Sequence, residues 1–258
     1  MNVSEQPVRT RGAIMNIRAA SESYAFNGVN YKIEALNSLF QLCAPHIIEN
    51  GGRITRISEE GIASVFEAGT ESAIRAAFGF FGDASVSPGE DMSSTYSIGI
   101  HSADVYTLNM KYDALSIPVS MSDGIGLARH LSETAAEYEA RILITHTASE
   151  QVRSFENRFS SRKLGIIHNS LTGEDEVIYD LFDSDSTNRK YSKRRSKLVF
   201  ETGVQAFLLG RYLQSRGCFI QLLKYDRNDR TAKKYVFMCD RALSGENNNE
   251  ENKYIDIW

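Results

Sequence analysis

Gly51-Gly52-Arg53-Ile54-Thr55-Arg56-Ile57-Ser58-Glu59-Glu60-Gly61-Ile62-Ala63-Ser64-Val65-Phe66 is a pair of apolar-alternating runs that meet at a polar tip, with two glycines just upstream. Alternation with a period of two is the mark of strands, and the polar tip between them is the mark of a turn. The stretch predicts a β-hairpin with Glu59 and Glu60 at its tip. Upstream, Tyr31, Ile33, Leu36, Leu39, Phe40, Cys43, Ile47 and Ile48 recur at helical spacing, and Gly51-Gly52 ends that helix. A first strand is predicted over 13–18.

Downstream, Glu71 to Phe81 reads as a helix with Ala73, Ile74, Ala76, Ala77, Phe78 and Phe81 on its apolar face. Residues 82–94 are rich in Gly, Ser and Asp and read as loop. Tyr96 to Ile100 is a buried strand with a partner strand expected near Asp104 to Leu108. Ser122 to Tyr138 is helical, Arg141 to Thr147 is an apolar strand, and a hairpin around Gly173 joins Leu164–His168 to Glu176–Phe182. Helices and strands alternate without regular βαβ repeats. The fold class that follows is α+β, one mixed sheet with helices packed on a face.

Composition bounds the rest. The 258 residues suffice for a full core, with 42% hydrophobic and 24% charged residues as in ordinary globular chains. A net charge of −4 gives no electrostatic reason for a nucleic-acid partner. Cys43, Cys218 and Cys239 lack metal-ligand spacing and read as reduced thiols of a cytoplasmic protein. No apolar run approaches the ~20 residues of a membrane span, and residues 1–6 have no apolar signal core.

Residues 183–197 (DSDSTNRKYSKRRSK) hold no apolar residue except Tyr191 and predict a solvated linker. Its cluster of Arg189, Lys190, Lys193, Arg194, Arg195 and Lys197 is either an anionic-surface contact or a charged lead into a helix. Three helices follow, over Leu198–Leu208 with Gly210 as stop, Leu213–Leu223 and Ala232–Leu243, in a tetratricopeptide-like spacing too short for an independent solenoid. The expected division is 1–183 as the main domain, 184–197 as linker, 198–244 as helical tail and 245–258 as a disordered C-terminus in which Trp258 is an optional docking residue.

The ordered framework of 9–182 resembles the catalytic domain of class III adenylate and guanylate cyclases. The resemblance is carried by Ala13-Ile14-Met15-Asn16-Ile17-Arg18, Leu36-Asn37-Ser38-Leu39-Phe40, the Gly51–Phe66 hairpin, Ile98-Gly99-Ile100-His101, Leu127-Ala128-Arg129-His130-Leu131, Arg141-Ile142-Leu143-Ile144 and Lys163-Leu164-Gly165. Many bacterial members carry a similar helical segment after that domain. The resemblance implies a ferredoxin-like mixed sheet with helices packed on it, followed by a short α-helical tail.

It also implies chemistry that this chain has replaced. Such sites use two carboxylates to hold two divalent cations against a triphosphate, backbone amides to cradle phosphates, and an Asn and an Arg from the partner subunit. Here the metal positions are Asn16 and Glu60, with Glu59 beside it, and an amide oxygen is a poor ligand for Mg²⁺. The ribose position is Gly126, and the transition-state position is His130, with Arg129 about 100° round the helix. The nucleotide-binding candidates are Ile17, Arg18, Ala20, Ser21, Val119 and Asp123, and Ala103 and Leu108 replace two glycines. Against these readings stand plainer ones: a solvated hairpin tip for Glu59-Glu60, a surface histidine for His130, a satisfied core histidine for His101, and a helix N-cap for Ser122-Asp123-Gly124.

The expectation is a pseudoenzyme in intracellular signalling, with no cofactor, or Mg²⁺ or Mn²⁺ if activity remains. Its expected partner is a second copy or another cyclase-type domain, with a nucleotide as possible ligand. The alternatives are a divergent adenylate, guanylate or pyrimidine cyclase using Glu60, Glu59 and Arg129, and a nucleotide sensor without turnover.

Overall fold

The computed structural model describes residues 6–19, 29–84, 96–113, 115–169, 173–245 and 254–257. The chain divides into two units, residues 1–133 with 147–153, and residues 134–146 with 154–258.

The first unit is built around β1 (Val8–Ala19). Helix α1 (Val29–Glu49) leads into the hairpin of β2 (Gly52–Ser58) and β3 (Gly61–Phe66), and α2 (Thr70–Ala84) follows. The long β4 (Tyr96–Tyr112) and β5 (Leu115–Met121) come next, then α3 (Gly124–Glu137). The strand order is β2-β3-β1-β4 with β5 paired to β4, all antiparallel. The hairpin forms as its alternation predicts. Glu59 and Glu60 make the turn, and Gly61 at φ 120° lies against the Ile17 carbonyl oxygen, where a Cβ would not fit.

Helices cover both faces of this sheet. Met15, Ile17, Ile98 and Ile100, all with zero exposure, share the face on which α2 packs. Ile14, Val65 and Val105 pack against Ala128 of α3 on the other. β1 is therefore buried on both sides at its centre, which is why 13–17 reads as a continuous apolar run interrupted only by Asn16.

One expected strand pair is corrected. Asp104–Leu108 is no separate partner but the continuation of β4, since nothing between Ile100 and Asp104 breaks an extended chain. The turn comes at Asp113, with φ 52°, and the true partner is β5, with Leu108 opposite Val119.

The second unit contains β6 (Ile142–Thr145), followed by two single-turn helices, α4 (His146–Ser149), which crosses the division between the units, and α5 (Phe155–Arg158). β7 (Ser161–Asn169) and β8 (Glu174–Leu181) form the hairpin expected around Gly173. Helices α6 (Thr187–Leu208), α7 (Tyr212–Tyr225) and α8 (Arg230–Leu243) follow, and Gly210 at φ 70° ends the first of them as expected. Strands run β6-β8-β7-β9, where β9 (Asp256–Ile257) pairs parallel to β7, so the pairing is mixed. Tyr235, fully buried, donates its hydroxyl to the Leu164 carbonyl and stacks on Phe219 at 4.4 Å.

The charged stretch 184–197, expected as a linker, is instead largely the first half of α6. Its helix is fixed by ion pairs rather than by an apolar stripe. Lys193 is only 7% exposed, with Nζ 2.8 Å from Asp180 and 2.7 Å from Asp185. Of the expected disordered C-terminus, residues 246–253 and Trp258 lie outside the described residues. Residues 254–257 are seated on β7, with Ile255 N donating to Ile166 O at 2.9 Å.

Candidate functional site

The positions matched to catalysis fall together in the first unit, along β1, the hairpin tip and α3. Gly99 sets the approach. A Cβ there would overlap the Ala128 carbonyl oxygen, so the backbone of α3 lies directly on β4. Asn16 is opposite Gly99 in the register and points at the same helix, 4% exposed. Its Nδ2 donates to Ser132 Oγ at 2.9 Å, and Ser132 Oγ donates to the Arg129 carbonyl at 2.6 Å. Asn16 thus clamps β1 to α3 through Ser132.

Glu60 has a different set of partners. Its Oε1 receives Arg129 Nη1 at 2.6 Å, and its Oε2 lies 3.2 Å from Arg56 Nη2. Glu59 turns outward and pairs with Lys32 at 3.2 Å. Asn16 and Glu60 therefore share no partner, and Glu60 has guanidinium groups where a cation-binding carboxylate would face an ion. The donor set does not fit a two-cation site. One carboxylate is present, its Oε1 hydrogen-bonded to Arg129 and its Oε2 within ion-pair distance of Arg56 but accepting no hydrogen bond among the described residues, and the second position is an amide whose nitrogen faces Ser132. Among the described residues, no group of three or more His, Cys, Asp or Glu side chains is placed to hold a metal.

The remaining candidates separate further. Arg18 pairs with Glu133 at 2.7 Å, and His130 Nδ1 lies 3.8 Å from the same carboxylate. The neighbouring His130 foremost, then Arg18 and Arg129, hold the Glu133 carboxyl below its usual range against the opposing effect of burial. Arg56, Glu60, Arg129, Glu133 and Arg18 thus alternate in sign across this surface. Ile17 is fully buried on the opposite face from Asn16. Gly126 is half-buried on α3, Val119 is half-buried on β5, and Asp123 is exposed. Ser122 Oγ accepts from Gly124 N at 3.2 Å and donates to the Asp104 carbonyl at 2.7 Å, one residue ahead of the cap position at Asp123. Ala20 and Ser21 lie outside the described residues.

The sequence singled out Arg129 as one position off and Arg18 as a nucleotide-binding candidate. It did not reveal Ser132, Arg56 or Glu133. The 100° offset of Arg129 was the available signal, since that rotation turns it toward the hairpin tip.

His101, on the α3 side of β4, has its imidazole pushed down to about 4, mostly by burial and secondarily by Arg11. The folded state therefore holds it neutral. Because its folded value lies below the ordinary 6.5, stability is full above pH 6.5 and falls as the pH drops toward 4. The loss across that window is about 3 kcal/mol. Denaturant titrations from pH 8 to 4 should show it, and His101→Gln should flatten it.

No protein-family model matches the chain. A curated relative, the terminal-differentiation-specific adenylate cyclase of Dictyostelium discoideum, is 21% identical over 224 residues, covering 80% of this chain but only 10% of that protein. The chain thus spans about a tenth of the length of the curated relative it matches. Among solved structures, a bacterial light-regulated adenylyl cyclase superposes with a TM-score of 0.58 at 16% identity, covering 75% of this chain and 59% of that one. The dimeric guanylyl cyclase domain of the RhoGC fusion protein from Blastocladiella emersonii superposes with a TM-score of 0.52 at 14% identity, covering 67% and 98%. The chain has the fold of the class III adenylyl and guanylyl cyclase catalytic domains.

Proposed function

We propose that this is a degenerate nucleotide cyclase-like domain, catalytically silent or nearly so, that works in signalling by pairing with another copy of itself. The observation that carries the reading is the Arg129–Glu60–Arg56 ion pairing, with Asn16 held by Ser132. A loaded metal–triphosphate would have to displace both. Loss of a single positioned electrostatic group costs ~10²–10³ in rate, and here several are replaced together.

The β4–β5 hairpin supports the pairing. Tyr106, Leu108, Met110, Leu115, Ile117, Val119 and Met121 share one of its faces, and five of the seven are exposed. The other face carries Thr107, Asn109, Ser116 and Ser120. A contiguous apolar face of this kind on one side of a polar ribbon is suited to burial against a like surface.

Two measurements test the reading. Incubation with ATP, GTP, CTP or UTP and Mn²⁺ should give no cyclic product above background by mass detection. A 3′,5′-cyclic product that disappears on Glu60→Gln would favour the cyclase alternative. Sedimentation should show a concentration-dependent dimer, and Ile117→Asp should weaken it by about 2 kcal/mol or more. A chain that stays monomeric at every concentration would overturn the self-pairing.

A further inference from the structure

The second unit holds a cavity of about 510 Å³, rich in charged side chains, walled by β7, α6 and the start of α8. That volume is in the range of small-molecule sites. Five cations line it, Arg162, Arg189, Lys193, Arg230 and Lys233, against the carboxylates of Glu139, Asp226 and Asp229. Those carboxylates are engaged. Glu139 holds Arg230 at 2.9 Å and Arg189 at 3.5 Å. Asp229 caps α8 through Ala232 N at 2.8 Å, and Asp226 accepts from Asn228 N at 2.9 Å. Behind the wall, Asp180 and Asp185 hold Lys193.

Arg162 is different. Its side chain is 3% exposed, its Nε donates to Asp180 at 2.9 Å, and its guanidinium lies 4.0 Å from the centre of the Phe200 ring. Its Nη1 is buried and has no hydrogen-bond partner among the described residues. A buried guanidinium N–H left unsatisfied is costly, and an acceptor from outside the chain removes that cost. Lys233, on the same wall, has no carboxylate within ion-pair distance among the described residues. Ser192, Ser196 and Asn228 add hydroxyl and amide groups to the lining, and Tyr138 supplies its single aromatic ring.

We infer that this cavity binds a small, polyhydroxylated molecule through an oxyanion group, phosphate or carboxylate, that is held by the Arg162 guanidinium and faced by Lys233. The wall is lined chiefly by charged, hydroxyl and amide side chains, and Asp180 and Asp185 pair with the buried Arg162 and Lys193, so a single acidic group suits it better than a polyphosphate. The assignment is independent of the first unit and of whether that unit has activity.

The test uses the full chain and three probes, ribose 5-phosphate, gluconate and inorganic phosphate, with sorbitol as the neutral control. Thermal midpoint and calorimetric titration are the readouts. The expected result is saturable protection by ribose 5-phosphate or gluconate and none by sorbitol, and the better of the two tells phosphate from carboxylate. Arg162→Gln should weaken binding about tenfold or more, and Lys233→Ala by less. Should Arg162→Gln fail to fold, Ser196→Asp decides, because it places an internal carboxylate on the same wall. It should abolish the protection while raising the unliganded midpoint. The inference is overturned by protection from sorbitol equal to that from the oxyanions, by no protection at about 10 mM of any probe, or by unchanged binding in Ser196→Asp.

Discussion

Gly99→Ala is expected to destabilise the chain by about 3 kcal/mol or more, although it adds one methyl group. The added Cβ would overlap the Ala128 carbonyl oxygen and would stand 2.6 Å from Leu131 Cβ and 2.7 Å from Ser132 N. Two of these three atoms are backbone, so no rotamer change relieves the clash. Helix α3 would have to lift from β4, carrying Ser132 away from Asn16 and Arg129 away from Glu60. Gly217→Ala, in α7 with nothing within 4 Å of its Cβ position, is the control and should be neutral or stabilising by up to about 1 kcal/mol. Denaturant unfolding of the two variants compares them, and equal stability would mean that α3 does not press on β4.

Asp180→Asn is the second large effect, expected to cost about 3–5 kcal/mol. Asp180 has zero exposure and accepts from Arg162 at 2.9 Å and from Lys193 at 3.1 Å. Burial alone would raise its carboxyl, but Lys193 foremost, then Arg162, hold it below the usual range. A folded value below the unfolded one gives stability that is present at neutral pH and lost as the pH falls through the folded value. The acid loss from Asp180 therefore begins below the His101 window, and the two are separable by variant. Asp180→Asn leaves Arg162 facing a neutral amide and Lys193 with Asp185 alone, so the Arg162–Asp180–Lys193 triad keeps its buried cations and loses the carboxylate they share. A single variant within about 1 kcal/mol of the parent would show that the triad is not needed for folding.

The fold was legible where local pattern and tertiary role agree. The Gly51–Phe66 hairpin, the helices over α1, α2 and α3, and the β7–β8 hairpin all follow from periodicity and from glycine placement. The long β4 was not legible as one strand, because its outer half has the alternation of a ribbon exposed on one side and so looked like a separate partner. The start of α6 was hidden for a related reason. Its residues form no apolar stripe, and the charges that hold it, Lys193 with Asp180 and Asp185, find one another only after β8 is in place.

The candidate site divides in the same way. That Asn16 and Glu60 stand where a cation-binding pair is expected, and that Arg129 is one step out of phase, could be read from the chain. That Arg129 closes on Glu60, and that Asn16 is taken by Ser132, depended on the register between β1 and β4 and on how closely Gly99 lets α3 approach.

The order of residues by itself determined the class of fold and that position 16 carries an amide and not a carboxylate, since strand and helix periods and side-chain chemistry are local properties. Only the tertiary structure decided which cation each acid meets and where a buried guanidinium is left with a free N–H. The reason is physical: an ion pair forms across a distance of a few ångströms in space, between residues that the chain separates by 13 positions for Asp180 and Lys193 and by 69 for Glu60 and Arg129.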